Sequence, residues 1–393
     1  MSVIVCSYGE IHLKGANRGY FLRTLLQNIR QALPKDVKTE VTDTRVLVTN
    51  FNDAKPVVAS LKKVFGLTHI RVCELVNYQT PDDILKYLSQ IKISGSFKVV
   101  INRADKNFPL KSPVFAPQCG DMILKHNTQA RVDVQNPDTV VQIEIRHNGV
   151  AYVSTGCERG LGGLPVGVSG RAICLISGGI DSPVAAFLAM KRGLAVDFVH
   201  FSTPPYTSEL ALEKVVSLCK QVNTFGNTGN LYVVPFTEVG SEIQKKCHDQ
   251  YTITLMRRFM IALAEKIGLA HGADCIFTGE NLAQVASQTI QGITSNNFVA
   301  QRLPILRPLI CFDKDEIVHL AKQIDTYQIS ILPYEDCCTV FVPSHPTIKP
   351  NLEAVLSEEK KLNFDTLVNS CYNNVICKNL QNTSAESFSK PQK

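Results

Sequence analysis

The sequence contains no run of about 18 apolar residues, the length a membrane-crossing helix requires, so nothing in it reads as a membrane span. Its opening, Met-Ser-Val-Ile-Val-Cys-Ser-Tyr-Gly-Glu, lacks the basic head and cleavage site of a secretory leader. Internal repeats and low-complexity segments are absent, which removes repeat architectures from consideration. Neither sign of charge dominates: 41 Lys and Arg against 35 Asp and Glu leave +6, with a pI of about 8.6. That balance permits a polyanionic partner without demanding one. A disulfide framework is also missing. The thirteen cysteines are odd in number and scattered through apolar segments, and Cys6, Cys174, Cys219 and Cys275 read as core residues in a reducing compartment. A cytoplasmic protein without a membrane partner is expected.

What is present is an apolar content of 45% over 393 residues, enough for two or three domains with real cores. One stretch stands out. Ile173 to Ile176 reads as a buried strand, broken at Ser177-Gly178-Gly179, after which Asp181-Ser182-Pro183 opens a helical pattern through Val184, Phe187, Leu188 and Lys191. A glycine turn between a strand and a helix start offers backbone N–H groups and the positive end of the helix dipole to an anion. Pro183 suits the first helical turn, where its missing N–H costs nothing. No Gly-Lys-Ser/Thr follows, so this is a phosphate cradle but not a Walker A loop. SGGxDS resembles the PP-loop of ATP pyrophosphatases, which implies cleavage between the α- and β-phosphates and therefore adenylation.

The chain before this loop reads as two small α/β units. In residues 1–76, strands at Val3–Ser7 and His69–Val76 flank a helix Tyr20–Leu33, a hairpin Lys38–Thr42/Arg45–Thr49 and a helix Ala54–Phe65. That βαββαβ order is the ferredoxin-like plan. In 77–167 a helix Asp82–Ile91, a strand Phe97–Asn102, a helix Gly120–Gln129 and strands Thr139–Arg146 and Val150–Ser154 follow, with Asn148-Gly149 as a hairpin turn. Gly160 to Gly170, with five glycines, reads as a linker. From 171 to 393 strands at Val196–Phe201, Leu231–Phe236 and Cys275–Gly279 alternate with long helices, which predicts a doubly wound parallel sheet with its ligand at the strands' C-terminal ends. Asn379 to Lys393 reads as a loose polar tail.

Further segments fall on that ligand edge. His200-Phe201 ends the next strand, either as backbone facing a base or as a buried aromatic strand end. In Met256-Arg257-Arg258-Phe259-Met260 at least one arginine of an otherwise apolar helix should meet an anion or a carboxylate. Thr278 to Thr289 follows a strand, and Gly279 would let backbone approach a nucleotide closely. Asp313 with Glu316 fits a capping box and is structural.

Taken together, Tyr8-Gly9-Glu10-Ile11-His12-Leu13-Lys14-Gly15-Ala16-Asn17-Arg18, Gly162 to Gly167, Leu175 to Pro183, Met256 to Met260 and Gly279 to Thr289 resemble the signatures of the ThiI family, in order along essentially the whole chain. The resemblance implies a ferredoxin-like domain, a THUMP RNA-binding domain and a PP-loop domain. It implies ATP contacts at Leu175, Ile176, His200, Phe201, Arg257, Gly279 and Gln288, to which the phosphate cradle itself adds Ser177, Gly178, Gly179 and Ser182. The implied reaction adenylates O4 of uridine at position 8 of tRNA; persulfide sulfur then displaces AMP to give 4-thiouridine. Asp181 is the expected Mg²⁺-associated acid, since Mg²⁺ prefers carboxylate and phosphate oxygens. Lys14 and Arg18 are the expected tRNA contacts, with Arg23 and Arg30 beside them.

Glu335-Asp336-Cys337-Cys338 resembles the segment that carries the family's catalytic cysteine; aligning Glu-Asp favours Cys338 and leaves Cys337 open. Some family members carry a C-terminal rhodanese domain that bears the persulfide, and this chain is expected to have no room for one. Sulfur is then expected from a cysteine desulfurase, or from Cys371 or Cys377, for which burial is the simpler expectation. Three readings remain open: the tRNA sulfurtransferase, sulfur transfer to a small sulfur-carrier protein for the thiazole of thiamine, and a non-catalytic tRNA-binding module. A homodimer is open too.

Overall fold

The computed structural model describes residues 2–42, 44–147, 149–285, 287–334, 341 and 347–381. The chain divides into two compact units, Met1–Gly163 and Leu164–Lys393.

The first unit is built on one mixed sheet. Its strands are β1 (Ser2–Tyr8), β2 (Lys38–Thr42), β3 (Arg45–Thr49), β4 (Leu67–Asn77), β5 (Gly95–Arg103), β6 (Ala130–Val132), β7 (Thr139–Arg146), β8 (Val150–Ser154) and β9 (Glu158–Arg159). They run in the order β2-β3-β1-β4-β8-β7-β5-β6, with β9 also on β4. Both faces of β1 are covered, which is why it reads Val-Ile-Val-Cys rather than alternating: Ile4 and Cys6 enter one apolar cluster and Val3 and Val5 another. Helices α1 (Arg18–Ala32) and α2 (Ala54–Leu61) close the first of these clusters through Leu25, Ile29, Val57 and Leu61. Asp53 caps α2 by accepting from the Lys55 N–H at 3.0 Å. Helix α3 (Pro81–Leu88) starts with Pro81 at N1 and a Thr80–Asp83 capping box.

Helix α4 (Ser112–His126) begins eight residues before the Gly120 start expected from sequence. Pro117 lies inside this helix, where a proline removes a hydrogen bond, whereas Pro113 sits in the first turn at no such cost. Phe115, Cys119 and Ile123, four apart and fully buried on one face, outweigh that loss. β6 and β9 are short strands that sequence periodicity did not reveal. The glycine-rich stretch expected as a linker is bonded at its start, Gly160 N–H donating to the Thr68 carbonyl at 3.0 Å and Gly162 N–H to that of Leu67 at 2.7 Å.

The second unit is the expected doubly wound sheet. Its strands are β10 (Arg171–Leu175), β11 (Ala195–Ser202), β12 (Leu231–Pro235), β13 (Cys275–Phe277), β14 (Ile305–Leu306) and β15 (Ile376–Lys378), in the order β14-β13-β10-β11-β12-β15. All pairs are parallel except β12 with β15. The chain leaves β10 toward β11 and β12 on one side and later returns to β13 and β14 on the other. That reversal opens a crevice beyond the C-terminal ends of β10 and β13, where ligands of such sheets bind. Helices α5 (Asp181–Lys191), α6 (Glu209–Asn223), α7 (Thr237–Lys246) and α8 (Thr252–Ala270) follow in chain order, and α8 is the spine of the core through Leu255, Phe259, Leu263 and Ile267. Then come α9 (Ile290–Asn297), α10 (Lys314–Gln323), α11 (Tyr327–Ser330), α12 (Leu352–Glu359) and α13 (Phe364–Asn373). Among the described residues no helix is long and apolar enough to cross a membrane. Cys6, Cys174, Cys219 and Cys275 are buried as expected.

Candidate nucleotide-binding site

The crevice contains a cavity of about 260 Å³. Its floor is the end of β10 and the turn that follows. Ser177 N–H donates to Ser182 Oγ at 2.9 Å, the two hydroxyls lie 3.2 Å apart, and Gly179 N–H donates to Ser177 Oγ at 3.3 Å. The two serines of SGGxDS thus close the turn on itself. Among the described residues α5 has no N-cap side-chain hydrogen bond, its N-cap being Ile180, which leaves donor groups of the helix start for an anion.

His200 and Phe201 end β11 beside this floor. His200 is buried, its Nδ1 3.1 Å from the Ile176 carbonyl, and Phe201 stacks edge-on against Phe236 with centroids 5.2 Å apart. They are the buried aromatic strand end that one of the sequence alternatives expected, and they also line the cavity. Met260 and Ile261 of α8 add apolar wall.

Opposite them lies a charged cluster. Glu280 accepts from Arg257 Nη1 and Arg307 Nε, each at 2.6 Å, and from Thr278 Oγ1 at 3.1 Å. Burial alone would raise the Glu280 carboxyl; the two guanidinium groups outweigh it and hold it below its ordinary value. Arg258 points away and pairs with Glu359 through Nε at 2.6 Å. Both arginines therefore meet carboxylates, and only Arg257 borders the cavity.

Asp181 lines the cavity with its two oxygens held apart, Oδ1 by Lys314 Nζ at 2.6 Å and Oδ2 by Gln284 Nε2 at 2.9 Å. Gly279 lines it too. A β-carbon there would lie 2.8 Å from the Ser182 nitrogen and 2.9 Å from the Asp181 carbonyl carbon. The close approach at Gly279 is thus to the start of α5, not only to whatever occupies the cavity. Gln288 is buried, and its carbonyl accepts from the Ala283 N–H at 2.8 Å, folding the 279–289 stretch back on itself.

Leu175, Ile176, Ser177, Asp181, Ser182, His200, Phe201, Arg257, Gly279 and Gln288 all line this one cavity. Gly178 and Gly179 form the turn beside it. Sequence reasoning passed over Glu280, Gln284 and Lys314. Lys314 sits inside the expected Asp313–Glu316 capping box, which forms; the box was visible and the outward reach of the lysine was not. Cys337 and Cys338 lie outside the described residues. Cys371 is buried, its thiol pushed up to about 11 by burial and then by Glu238. Cys377 departs from expectation: β15 is an exposed edge strand, and the cysteine is on the surface.

In the first unit, Lys14 Nζ lies over the Phe21 ring at 5.1 Å, and Arg18 Nη2 donates to the Tyr8 hydroxyl at 2.8 Å. Arg23 and Arg30 are exposed on α1 and border a shallow groove with Gln27.

Comparison with known proteins agrees with this organisation. Models of the ThiI ferredoxin-like domain and the THUMP domain match residues 3–70 and 83–155, and the model described as thiamine biosynthesis protein (ThiI) matches 167–364. A probable tRNA sulfurtransferase of Thermoanaerobacter sp. (strain X514) is 44% identical over 379 residues, 95% of this chain and 99% of that protein. Its counterpart in Bacillus licheniformis is 44% identical over 380 residues, 94% of each. Among solved structures, a 4-thiouridine synthetase–RNA complex with bound ATP superposes with a TM-score of 0.87 at 35% identity, covering 96% of this chain and 99% of that one. PH1313 from Pyrococcus horikoshii superposes with a TM-score of 0.64 at 27% identity, covering 83% and 100%. With three models in register along the chain and relatives matched almost end to end, this chain belongs to the ThiI family.

Proposed function

We propose that the chain is an ATP-dependent tRNA sulfurtransferase that converts uridine at position 8 of tRNA into 4-thiouridine. The observation that carries the reading is the single cavity at the β10–β13 crevice, lined from segments as far apart as Leu175 and Gln288. Its groups divide by chemistry. Leu175, Ile176, His200 and Phe201 form the less polar side and suit an adenosine. Ser177, Gly178, Gly179 and Ser182 with the α5 start suit the polyphosphate. Gly279 packs against the start of α5, and Arg257 and Gln288 complete the lining. The solved 4-thiouridine synthetase relative holds ATP and RNA, which supports both substrates.

The chemistry follows from a poor leaving group. Attack of uridine O4 on the α-phosphate forms a P–O bond and releases pyrophosphate, and sulfur then displaces AMP, a far better leaving group than the carbonyl oxygen. Lys314, paired with Asp181 at 2.6 Å, adds positive charge at the phosphate end. Asp181 fits Mg²⁺, which is commonly held by one or two carboxylates and the nucleotide's own phosphates. When bound, the ion would offset phosphate charge while Asp181 shares its carboxylate with Lys314. The ferredoxin-like and THUMP portions would hold the tRNA, with Lys14 and Arg18 at the N-terminal motif. Sulfur would come as a persulfide from a cysteine desulfurase, with Cys338, or Cys337, as the assisting thiol. The buried Cys371, protonated at neutral pH, is a poor relay.

The test combines purified protein, unmodified tRNA, ATP, cysteine and a desulfurase, with nucleoside mass spectrometry as readout. ATP-dependent 4-thiouridine is expected; its absence, with tRNA and ATP both bound, would refute the reading. The family model's own name favours a second role, sulfur transfer to a small carrier protein for the thiamine thiazole. A thiamine requirement on deletion of the gene would support that role.

A further inference from the structure

Lys214 on α6 is only 4% exposed, an unusual depth for an ammonium group. Its Nζ donates to the Leu332 carbonyl at 2.8 Å. A β-carbon built on Gly178 would lie 3.4 Å from its Cδ, Cε and Nζ, so the end of the lysine rests against the first glycine of the phosphate turn. A second support stands beside it, where Ser330 Oγ, at the end of α11, donates to the Gly179 carbonyl at 3.3 Å. The two glycines of SGG are thus backed by side chains from α6 and α11, neither of which belongs to the loop's own sequence motif.

We propose that Lys214 is a positioning residue for the polyphosphate of ATP. It holds the Gly178–Gly179 turn by contact from outside and fixes that contact through the Leu332 carbonyl. The inference rests on the reading of the cavity as an ATP site. Because that turn is read as the cradle of the polyphosphate, its support by Lys214 matters more to ligands carrying β- and γ-phosphates than to AMP, whose single phosphate would sit nearer the reacting carbonyl.

The experiment is calorimetric titration of the full chain with ATP, inorganic pyrophosphate and AMP, for the wild type and for Lys214→Met, Lys214→Gln and Lys214→Arg. Loss of this support to the turn is expected to weaken ATP and pyrophosphate about tenfold in the Met and Gln variants, with AMP changed less than about threefold. Lys214→Arg should recover most of the loss. Unchanged ATP affinity in both neutral variants would overturn the proposal. So would an equal loss for ATP and AMP, which would make Lys214 a packing residue only. Should Lys214→Met fail to fold by circular dichroism, Lys214→Gln and Lys214→Arg decide the same comparison. A wild type that binds no ATP would overturn the ATP reading itself, whereas binding that ignores Lys214 overturns only this inference.

Discussion

Gly279→Ala offers a sharp test of how the site is assembled. The added methyl would meet the Ser182 nitrogen at 2.8 Å and the Asp181 carbonyl carbon and Ser182 Cα at 2.9 Å. All three are backbone atoms at the start of α5, so no side-chain rotation relieves the contact. Favourable carbon contacts lie at about 3.5 to 4.0 Å, so β13's end and the helix start must separate by about 0.6 Å or more. Overpacking of this kind costs roughly 1 to 3 kcal/mol. For a unit of this size that is a Tm lower by about 2 to 12 °C, at about 2 to 4 °C per kcal/mol. Function should suffer more than stability, because the displaced residues are those of the phosphate cradle. A misplacement approaching 1 Å can cost about 100-fold in rate. Calorimetric melting and single-turnover thiolation read the two effects separately. Affinity for tRNA should be nearly unchanged, since the contact lies wholly within the Leu164–Lys393 unit. A variant with wild-type Tm and a thiolation rate within about twofold of wild type would refute the argument, since overpacking against fixed backbone cannot be free.

Asp181→Ala or Ser177→Ala should abolish thiolation while leaving tRNA affinity nearly intact, and equal loss of tRNA binding in filter assays would sink the separation of roles. Binding of tRNA should weaken steeply with salt. Each phosphate contact removed, as in Lys14→Ala, should lower the slope of log affinity against log salt by about 0.7 to 0.9, and an unchanged slope removes that residue from the interface. Cys338→Ser should lose single-turnover thiolation with desulfurase-delivered sulfur, and loss in Cys337→Ser alone would move the role one residue back. Wild-type rates in both variants, with free sulfide excluded, would leave the doublet without a catalytic part.

Much of the fold was legible from local pattern. The hairpin Lys38–Thr42/Arg45–Thr49 and the strands Thr139–Arg146 and Val150–Ser154 fall where alternation and turn residues put them. The phosphate turn was legible because strand, glycines and helix start are contiguous. What failed was equally physical. Helix α4 runs through Pro117 because its buried face outweighs a lost hydrogen bond, and β15, Ile376–Lys378, is too short to show periodicity.

By itself the sequence determined the order of the longer elements, the phosphate cradle, the absence of a Walker lysine and the family. These depend on neighbours in the chain, where period, turn chemistry and motif spacing operate. Only the tertiary structure decided which charges meet. Asp181 finds Lys314 133 residues away, Arg257 and Arg307 share Glu280, and Lys214 comes to rest behind Gly178. Closing the parallel sheet brings β10, β11 and β13 side by side. Partner choice among these charges is then set by which carboxylate each helix and loop can reach in the folded chain.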